Sequence, residues 1–382
     1  MIYNLESSYD KESSYKWANM LECFGRDDLF PMWIGDMDFP VPYEVVKSIE
    51  ENLENPFLGY TFLSNNYYEA ISSWMKRRYN WEISEHDILF VPSIVQGISY
   101  AVRYLTDVGD EIILQSPVYP YFFSAINTND RVVLDNPLIV GEHGYEIDFN
   151  NLKSIISDKT KMLLLCSPHN PVGRVWDIEE LEKIVEICKE NGIILISDEV
   201  FADLVFKEKR HIPTALLYDK VITFTSPSKT FNFGGVQAAN VIISDPILKE
   251  KYQEGLSREF VWAPNALVET VVKCAYDKCE DYVEEVVDYI EENIDIAVSY
   301  ISKNIKNIVT YKPEGTYCLW VDFSKTGLNS NEIDDMLLNK CKIALESGKG
   351  YGEYYDKFRR VNVACKRSDL IKFLQSIERV FN

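Results

Sequence analysis

A lysine in the middle of the chain follows a short apolar run and several hydroxyl residues. Lys229 comes directly after Ser226, Pro227 and Ser228, and residues 221–224 before them are apolar or hydroxylated. A strand that ends in this way places one amine at the mouth of a sheet, and a partly desolvated amine loses its proton readily enough to react with an aldehyde. The neighbouring hydroxyls are suited to binding phosphate. The pattern is short, so an ordinary surface lysine explains it equally well.

Two further apolar runs are followed by polar residues that could bind the same ligand as Lys229. Residues 193–196 lead into Asp198, and residues 162–165 lead into a Pro- and Gly-containing turn with Asn170. Open α/β sheets bind ligands at the carboxyl ends of their strands, although many strands simply end at a polar residue. A carboxylate there keeps a pyridine nitrogen protonated, and an amide donates to a phenolate oxygen. With Lys229, these residues predict a site for pyridoxal 5'-phosphate (PLP).

With Asn170, Asp198 and Lys229 in this order, the chain resembles the fold-type I PLP enzymes of the class I/II aminotransferase group. The resemblance covers most of the chain. Residues 31–39 and 59–61 are most similar to its cystathionine β-lyase branch, which includes the maltose-regulon modulator. The resemblance implies an α/β fold of the PLP-dependent transferase type. Such a fold has a large domain, with a mostly parallel sheet flanked by helices, and a smaller α/β domain. It also implies a homodimer with a shared active site.

The resemblance assigns roles to individual residues. It makes Lys229, Asp198 and Tyr119 catalytic, and Tyr119 also stacks on the cofactor ring. Tyr60 reaches the cofactor phosphate of the neighbouring subunit. Arg360 binds the α-carboxylate of the substrate, because a guanidinium is a planar, bidentate clamp. Ser226 and Ser228 contact the cofactor, and Asn170 belongs to both the cofactor site and the substrate site.

Three positions near these residues are interpreted from their local chemistry. The amides of Val95 and Gln96 open a helix, where free N–H groups and a partial positive charge favour a phosphate. Gly35 lacks a Cβ and lets the backbone approach a ligand closely, although an ordinary turn glycine is the alternative. Arg359 points to the opposite face of its strand from Arg360, so it serves as a control. The alternative is that both arginines are solvated.

Two departures from the family pattern bear on the reaction. Gln237 stands eight residues after Lys229, where aminotransferases of the group usually carry an arginine for the phosphate, and this favours the lyase branch. Phe201 stands where relatives carry tyrosine or histidine, so a hydrogen bond near the cofactor is missing. We expect a carbon–sulfur β-lyase that cleaves cystathionine or S-substituted cysteines to pyruvate, ammonia and a thiol. The alternatives are an aminotransferase and a regulatory protein that retains the fold and binds a transcription regulator.

The elements that must position these residues follow a βαβ rhythm. Strands predicted at 161–166, 193–197, 221–225 and 239–243 alternate with helical stretches such as 178–190, and the resemblance makes the last strand antiparallel. The predicted large domain covers 45–275. The small C-terminal domain, 276–382, is grouped with the arm, 1–44. We expect residues 1 to about 40 to be irregular and residues 263–300 to form one long helix. Tyr121, Phe122 and Phe123 are assigned to helix packing.

Composition excludes several classes of function. With 39 Lys and Arg against 60 Asp and Glu in 382 residues, the net charge of −21 argues against a nucleic-acid-binding surface. The eight cysteines are scattered and there are four histidines, so no zinc site is expected and the thiols should be reduced. Residues 1–7 lack a basic and an apolar targeting region, and no apolar run is long enough to span a bilayer. The prediction is a cytoplasmic protein that contacts no membrane.

Overall fold

The structure is a computed structural model that describes residues 3–5, 12–54, 57–141 and 144–382. Part of the predicted arm, Pro56 and much of the segment 1–7 lie outside these ranges. The strands are β1 (Phe30–Pro31), β2 (Ile88–Val91), β3 (Glu111–Leu114), β4 (Val132–Asp135), β5 (Ile139–Gly141), β6 (Gly144–Glu146), β7 (Thr160–Cys166), β8 (Ile194–Asp198), β9 (Ile222–Thr225), β10 (Ala239–Ile243), β11 (Val309–Thr310), β12 (Cys318–Asp322), β13 (Ile343–Ala344), β14 (Glu346–Ser347) and β15 (Phe358–Asn362).

Helices cover both faces of the sheets. They are α1 (Tyr15–Ala18), α2 (Met20–Phe24), α3 (Tyr43–Leu53), α4 (Asn65–Tyr79), α5 (Ile94–Leu105), α6 (Pro120–Asn127), α7 (Phe149–Ile155), α8 (Ile178–Asn191), α9 (Pro227–Thr230), α10 (Pro246–Arg258), α11 (Val268–Lys278), α12 (Glu280–Asn304), α13 (Ser330–Asp335) and α14 (Arg367–Phe381). A π-helical turn, Met336–Cys341, continues α13. Short 3₁₀ turns lie at Glu85–Asp87, Thr214–Leu216, Gly234–Val236, Ser324–Thr326 and Gly348–Gly350. Within the described part of the chain, no helix is long and apolar enough to cross a membrane.

The larger sheet has seven strands in the order β2-β10-β9-β8-β7-β3-β4. All its strands run in one direction except β10, which is antiparallel to β2 and β9. The predicted mostly parallel sheet and its antiparallel strand at 239–243 are therefore confirmed. Cys166 lies opposite Asp198, and Asp198 lies opposite Phe224, so the carboxyl ends of β7, β8 and β9 meet at one edge. The α/β fold class follows from this layered arrangement.

Side chains of β7 alternate between two helical layers. Met162 and Leu164 pack with α5, α6 and α10, whereas Leu163 and Leu165 pack with α7 and α8. Because successive side chains of a strand point to opposite faces, a continuous apolar run is buried on both sides. This double burial fixes the carboxyl end of β7 rigidly, and with it the turn that carries Asn170.

A second sheet, of four strands in the order β11-β12-β15-β14, is antiparallel throughout. Helices α12 and α14 contribute Ile294, Ala297, Leu370 and Leu374 to the core beneath it. In this sheet Arg360 of β15 lies opposite both Trp320 and Glu346. The chain boundaries predicted for the two domains, at 44/45 and 275/276, stay a prediction.

Most described residues of the N-terminal arm are irregular, as expected, but the arm also contains two short helices and a strand, and for these residues the expectation is wrong. The arm forms α1 and α2, and β1 then pairs in parallel with β13. Phe30 N donates to Lys342 O at 2.8 Å, and Met32 N donates to Ala344 O at 2.9 Å. Local periodicity gave no signal for β1 because it has two residues and its partner lies about three hundred residues away.

The predicted long helix is two helices. The chain leaves helical geometry at Cys279, with φ −113° and ψ 28°, between α11 and α12. The apolar pattern of 263–300 continues through the break because both helices bury residues in the same core, including Val272, Cys279 and Val283. Hydrophobic spacing reports which side chains are buried, and it does not report a change in axis direction.

Candidate active site

A cavity of about 420 Å³ opens at the carboxyl ends of β7, β8 and β9. Its floor comes from the larger sheet, and one wall comes from the loop after β1, including Trp33 and Gly35. The four-stranded sheet closes the opposite side with Glu346 of β14 and Arg360 of β15. The site therefore lies where three parts of the chain meet, at the sheet edge that open α/β folds use for ligands.

Lys229 lies in α9, immediately after β9, and its amine enters the cavity. Nζ donates to Gly35 O at 2.7 Å and lies 3.9 Å from Asp36 Oδ1. Burial lowers the pKa of Lys229, and the positive charge of Arg360 lowers it further, while Asp36 opposes the shift. The neutral amine is therefore more populated than in a solvated lysine, as nucleophilic attack on an aldehyde requires.

Asp198 ends β8 and is buried beneath the cavity. Its Oδ1 accepts from Val200 N at 3.1 Å. Burial raises the pKa of Asp198 to about 7, with a smaller contribution from Glu199, while the Val200 amide and Lys229 oppose the shift. A carboxylate in this position gains from a cationic partner supplied by a ligand, and a protonated pyridine nitrogen is such a partner.

Asn170 and Tyr119 lie on the loops after β7 and β3. The side-chain oxygen of Asn170 accepts from Arg360 Nη1 at 3.3 Å, which leaves its amide hydrogens available to a ligand oxygen. Tyr119 precedes α6 and lines the cavity, and burial raises the pKa of its hydroxyl. Its ring is therefore neutral and apolar, as a stacking partner should be.

Of the two residues predicted to form a phosphate cradle, Val95 lines the cavity and Gln96 does not. Ser93 caps α5, and its hydroxyl accepts from Gln96 N at 3.3 Å. Ser93, Ile94 and Val95 line the cavity, whereas Gln96 is exposed and its amide is already bonded to the cap. The first turn of α5 thus presents the amides before Gln96, because the first N–H groups of a helix have no partner within it. The structure brings Val95 to the site and leaves Gln96 at its margin.

The other side of this corner carries hydroxyl groups. Ser226 Oγ lies 2.7 Å from Ala238 O and 2.8 Å from Ser228 Oγ, and both serines line the cavity. Gln237 lines it too, held in a left-handed conformation with φ 57°. An amide thus occupies the position where the family pattern has an arginine, and the polar groups that this corner presents are hydroxyls and amides.

Gly35 approaches the lysine closely. Its carbonyl accepts both from Lys229 Nζ and from Tyr317 OH, each at 2.7 Å, and a Cβ added to Gly35 would lie 3.4 Å from Nζ. A Cβ there would thus lie in van der Waals contact with the amine. Phe201 lies nearby, with its ring edge-on to Tyr317 at 5.2 Å, and lines the cavity without offering a hydrogen bond.

The two arginines of β15 face opposite sides of their sheet, as expected, but neither is solvated. Arg359 is buried and donates to Asp334, to Ser330 O and to the carbonyls of its own loop. Arg360 lines the cavity and donates to Asn170, to Trp33 O at 2.9 Å and to Glu346. Arg359→Ala is consequently not a neutral control, since it removes a buried network.

Tyr60 does not meet the cavity of its own chain. It is 89% exposed, and its ring lies 5.4 Å from that of Trp262 on the surface. This position suits a residue that serves another subunit, and that role stays a prediction.

Sequence reasoning missed several cavity residues. Tyr121 is exposed and lines the cavity, so its assignment to helix packing is wrong, whereas Phe122 is buried in the core as assigned. Cys166, Asp36 and Glu346 also line the site. Asp36 could have been predicted from the sequence, because it directly follows Gly35, which was already expected to lie close to a ligand. Glu346 offered none, since its neighbours in the chain carry no motif.

The residues present fit PLP. The amine with a lowered pKa faces the cavity that holds the buried acid, and Val95 N–H and the Ser228 hydroxyl supply donors for a phosphate. The hydroxyl of Ser226, beside them, already donates to Ala238 O. Asn170 supplies the amide for a phenolate oxygen. Across the described residues, no group of three or more His, Cys, Asp or Glu side chains is placed to bind a metal ion.

Comparisons with known proteins give consistent results. Residues 27–377 match the sequence profile of the family described as aminotransferase class I and II. Cystathionine beta-lyase PatB of Bacillus subtilis is 36% identical over 96% of each chain. Cystalysin of Treponema denticola, whose crystal structure contains PLP, has a TM-score of 0.95 at 30% identity, covering 100% of this chain and 99% of that one. The PLP-bound C–S lyase of Staphylococcus hominis has a TM-score of 0.92 at 31% identity, covering 99% and 98%.

Proposed function

The chain belongs to the class I and II aminotransferase family, and from this premise and the geometry of its cavity we propose that it is a PLP-dependent carbon–sulfur β-lyase of the cystathionine β-lyase type. The observation that carries the proposal is the convergence of Lys229, Asp198 and Asn170 on one cavity. Gln237 in the cavity wall supports a lyase over an aminotransferase, as do the relatives named above.

Each residue has a defined task in this proposal. Bound PLP supplies an electron-withdrawing ring that stabilises the charge left when an amino acid loses its α-proton. Arg360 and Asn170 hold the amino acid by its α-carboxylate. Lys229 Nζ, whose lowered pKa favours the neutral amine, accepts the α-proton and is then able to donate it to the leaving sulfur. Asp198 holds the proton on the ring nitrogen, and Tyr119 covers the ring face.

The substrates in the proposal are cystathionine and S-substituted cysteines, and the products are a thiol, pyruvate and ammonia. The test is a pyruvate assay on the PLP-loaded protein with L-cystathionine and no keto acid. Steady pyruvate release that Lys229→Ala abolishes supports the lyase. Turnover that stalls until a keto acid is added would instead establish an aminotransferase.

We propose further that the protein is a homodimer. Five aromatic side chains on the loops before α4 and after α10 are at least two-thirds exposed: Phe57, Tyr60, Phe62, Phe260 and Trp262. The rings of Tyr60 and Trp262 lie 5.4 Å apart, so the two loops present neighbouring apolar groups. Large exposed apolar patches are typical of interaction sites. A cytoplasmic location agrees with the eight free cysteines, and a transcription-regulator partner stays a prediction.

A further inference from the structure

Glu346 contacts Arg360 in the wall of the active site, although no motif assigns it a role. Strands β14 and β15 are antiparallel, with Glu346 directly opposite Arg360. Directly opposed residues project from the same face of a sheet, so both side chains enter the cavity. Arg360 is 4% exposed and Glu346 is 26% exposed, and the two form an ion pair.

Three of the five N–H groups of Arg360 already have partners. Nη2 donates to Glu346 Oε2 and also to Trp33 O at 2.9 Å, which uses both of its hydrogens. Nη1 donates one hydrogen to Asn170 Oδ1 over a long 3.3 Å. Nε is buried and has no hydrogen-bond partner among the described residues. Nε–H and the second hydrogen of Nη1 are thus open to a group from outside the described part of the chain.

The geometry of a guanidinium makes Nη2 decisive. A carboxylate binds it bidentately either across Nη1 and Nη2 or across Nε and Nη2, so both arrangements need a hydrogen of Nη2. Trp33 O belongs to the backbone and is fixed by the loop after β1. Glu346 is a side chain that is partly open to the cavity. Of the two partners of Nη2, Glu346 is the one that can move away.

We propose that Glu346 occupies the carboxylate position on Arg360 in the substrate-free protein and must leave it before a substrate α-carboxylate can bind bidentately. Glu346 thereby sets the affinity of the site for amino acids. The inference rests on the role proposed for Arg360. It requires no particular reaction after binding, because a lyase and an aminotransferase hold the α-carboxylate alike.

The test measures binding to the PLP-loaded protein by titration of the cofactor's visible absorbance. The probes are L-norleucine and pentylamine, which have the same carbon chain and differ by the carboxylate. Glu346→Gln removes the competing charge, so the dissociation constant for L-norleucine should fall about tenfold while that for pentylamine stays within about twofold. With L-cystathionine, KM should fall more than kcat.

The ion pair that Arg359 forms on the other face of β15 provides a matched control. Asp334 pairs with Arg359 as Glu346 pairs with Arg360, but Asp334 does not line the cavity. Asp334→Asn should therefore leave the ratio of the two dissociation constants unchanged. An unchanged or weaker affinity of Glu346→Gln for L-norleucine would overturn the inference.

A second variant separates the inference from the premise. Arg360→Ala should abolish the preference for L-norleucine over pentylamine. If that preference persists, Arg360 is not the carboxylate site, and the premise and the inference fail together. If it is abolished and Glu346→Gln does not tighten binding, the inference alone fails.

Discussion

Burial moves the pKa values of Lys229 and Asp198 in opposite directions, and both move toward neutrality. The cause is common to the two residues, because a low-dielectric environment penalises the charged form of each. The consequence is an amine that can react and an acid that needs a cation. Burying these two ionisable residues would destabilise an ordinary core, but here a ligand with an aldehyde and a cationic nitrogen can interact with both.

The raised pKa of Asp198 predicts a pH-dependent stability of the cofactor-free protein. The folded-state pKa of Asp198, about 7, exceeds the usual aspartate value of 3.8, so the stabilisation is fully present below about pH 4 and is lost progressively as the pH rises to 7. The loss amounts to about 1.4 kcal/mol per pH unit. Asp198→Asn removes this ionisation, so its advantage in Tm over the native protein should grow from pH 5 to 7 and level off above. A pH-independent difference in thermal denaturation would contradict the assignment.

Arg359 makes a different prediction from Arg360. The Arg359 side chain is fully buried, and it donates to Asp334 and to backbone carbonyls. Arg359→Ala removes the ion pair with Asp334 and the packing of a buried side chain, and it should lower the free energy of unfolding by about 3 kcal/mol. Arg360→Ala should instead raise the KM for amino acids. Urea denaturation and steady-state kinetics on both variants separate the two effects, and equal KM values would count against the substrate clamp.

At the scale of elements, the arm is fastened to the active site through Lys16 of α1. Nζ donates to Asp38 Oδ1 at 2.9 Å and to Asp36 O at 3.2 Å, and Trp33 Nε1 donates to Lys16 O at 3.1 Å. Lys16 is fully buried, and burial raises the pKa of Asp38 although Lys16 opposes the shift. The arm therefore holds the loop that contacts Lys229 and Arg360.

Removing the charge of Lys16 should weaken this attachment. Lys16→Met keeps the length of the side chain but leaves Asp38 unpaired in the interior, at an expected cost of about 3 kcal/mol. Adding Asp38→Asn should restore part of the lost stability, since the uncompensated charge is then gone. Thermal denaturation of the single and double variants measures both steps. A double variant no more stable than Lys16→Met would contradict the ion pair's role.

Elements with a long local signal could be predicted, and those that depend on distant partners could not. The strand expected at 239–243 matches β10, and the helix expected at 178–190 matches α8 within one residue. Each has a continuous apolar pattern of its own. Strand β1 has two residues and forms only against β13. The same distinction holds for the site. Lys229, Asp198 and Asn170 lie at the ends of strands of the larger sheet and could be predicted, whereas Glu346 lies in the four-stranded sheet and could not.

At the scale of the whole molecule, the position of Tyr60 predicts a site completed by a second subunit. A dimer of one Lys229→Ala chain and one Tyr60→Phe chain contains one site with both native residues, because the two come from different chains. Unfolding and refolding the inactive Lys229→Ala variant together with the Tyr60→Phe variant should restore lyase activity in proportion to the mixed species. Activity that never exceeds the sum of the separate variants, at any mixing ratio, would show that each site is built from a single chain.

The pairing of β1 with β13 also bears on how the protein is made. Asp38 N donates to Ala364 O at 2.8 Å, and Asn362 N donates to Met32 O at 2.9 Å, so two segments more than three hundred residues apart are bound to each other. A ribosome releases residues 30–38 long before residues 342–364 exist. The loop that bears Gly35 therefore stays without these partners while the intervening residues are translated, and the pocket takes its final form only after residues 342–364 have emerged. Capture of the cofactor in this pocket thus follows the synthesis of both segments.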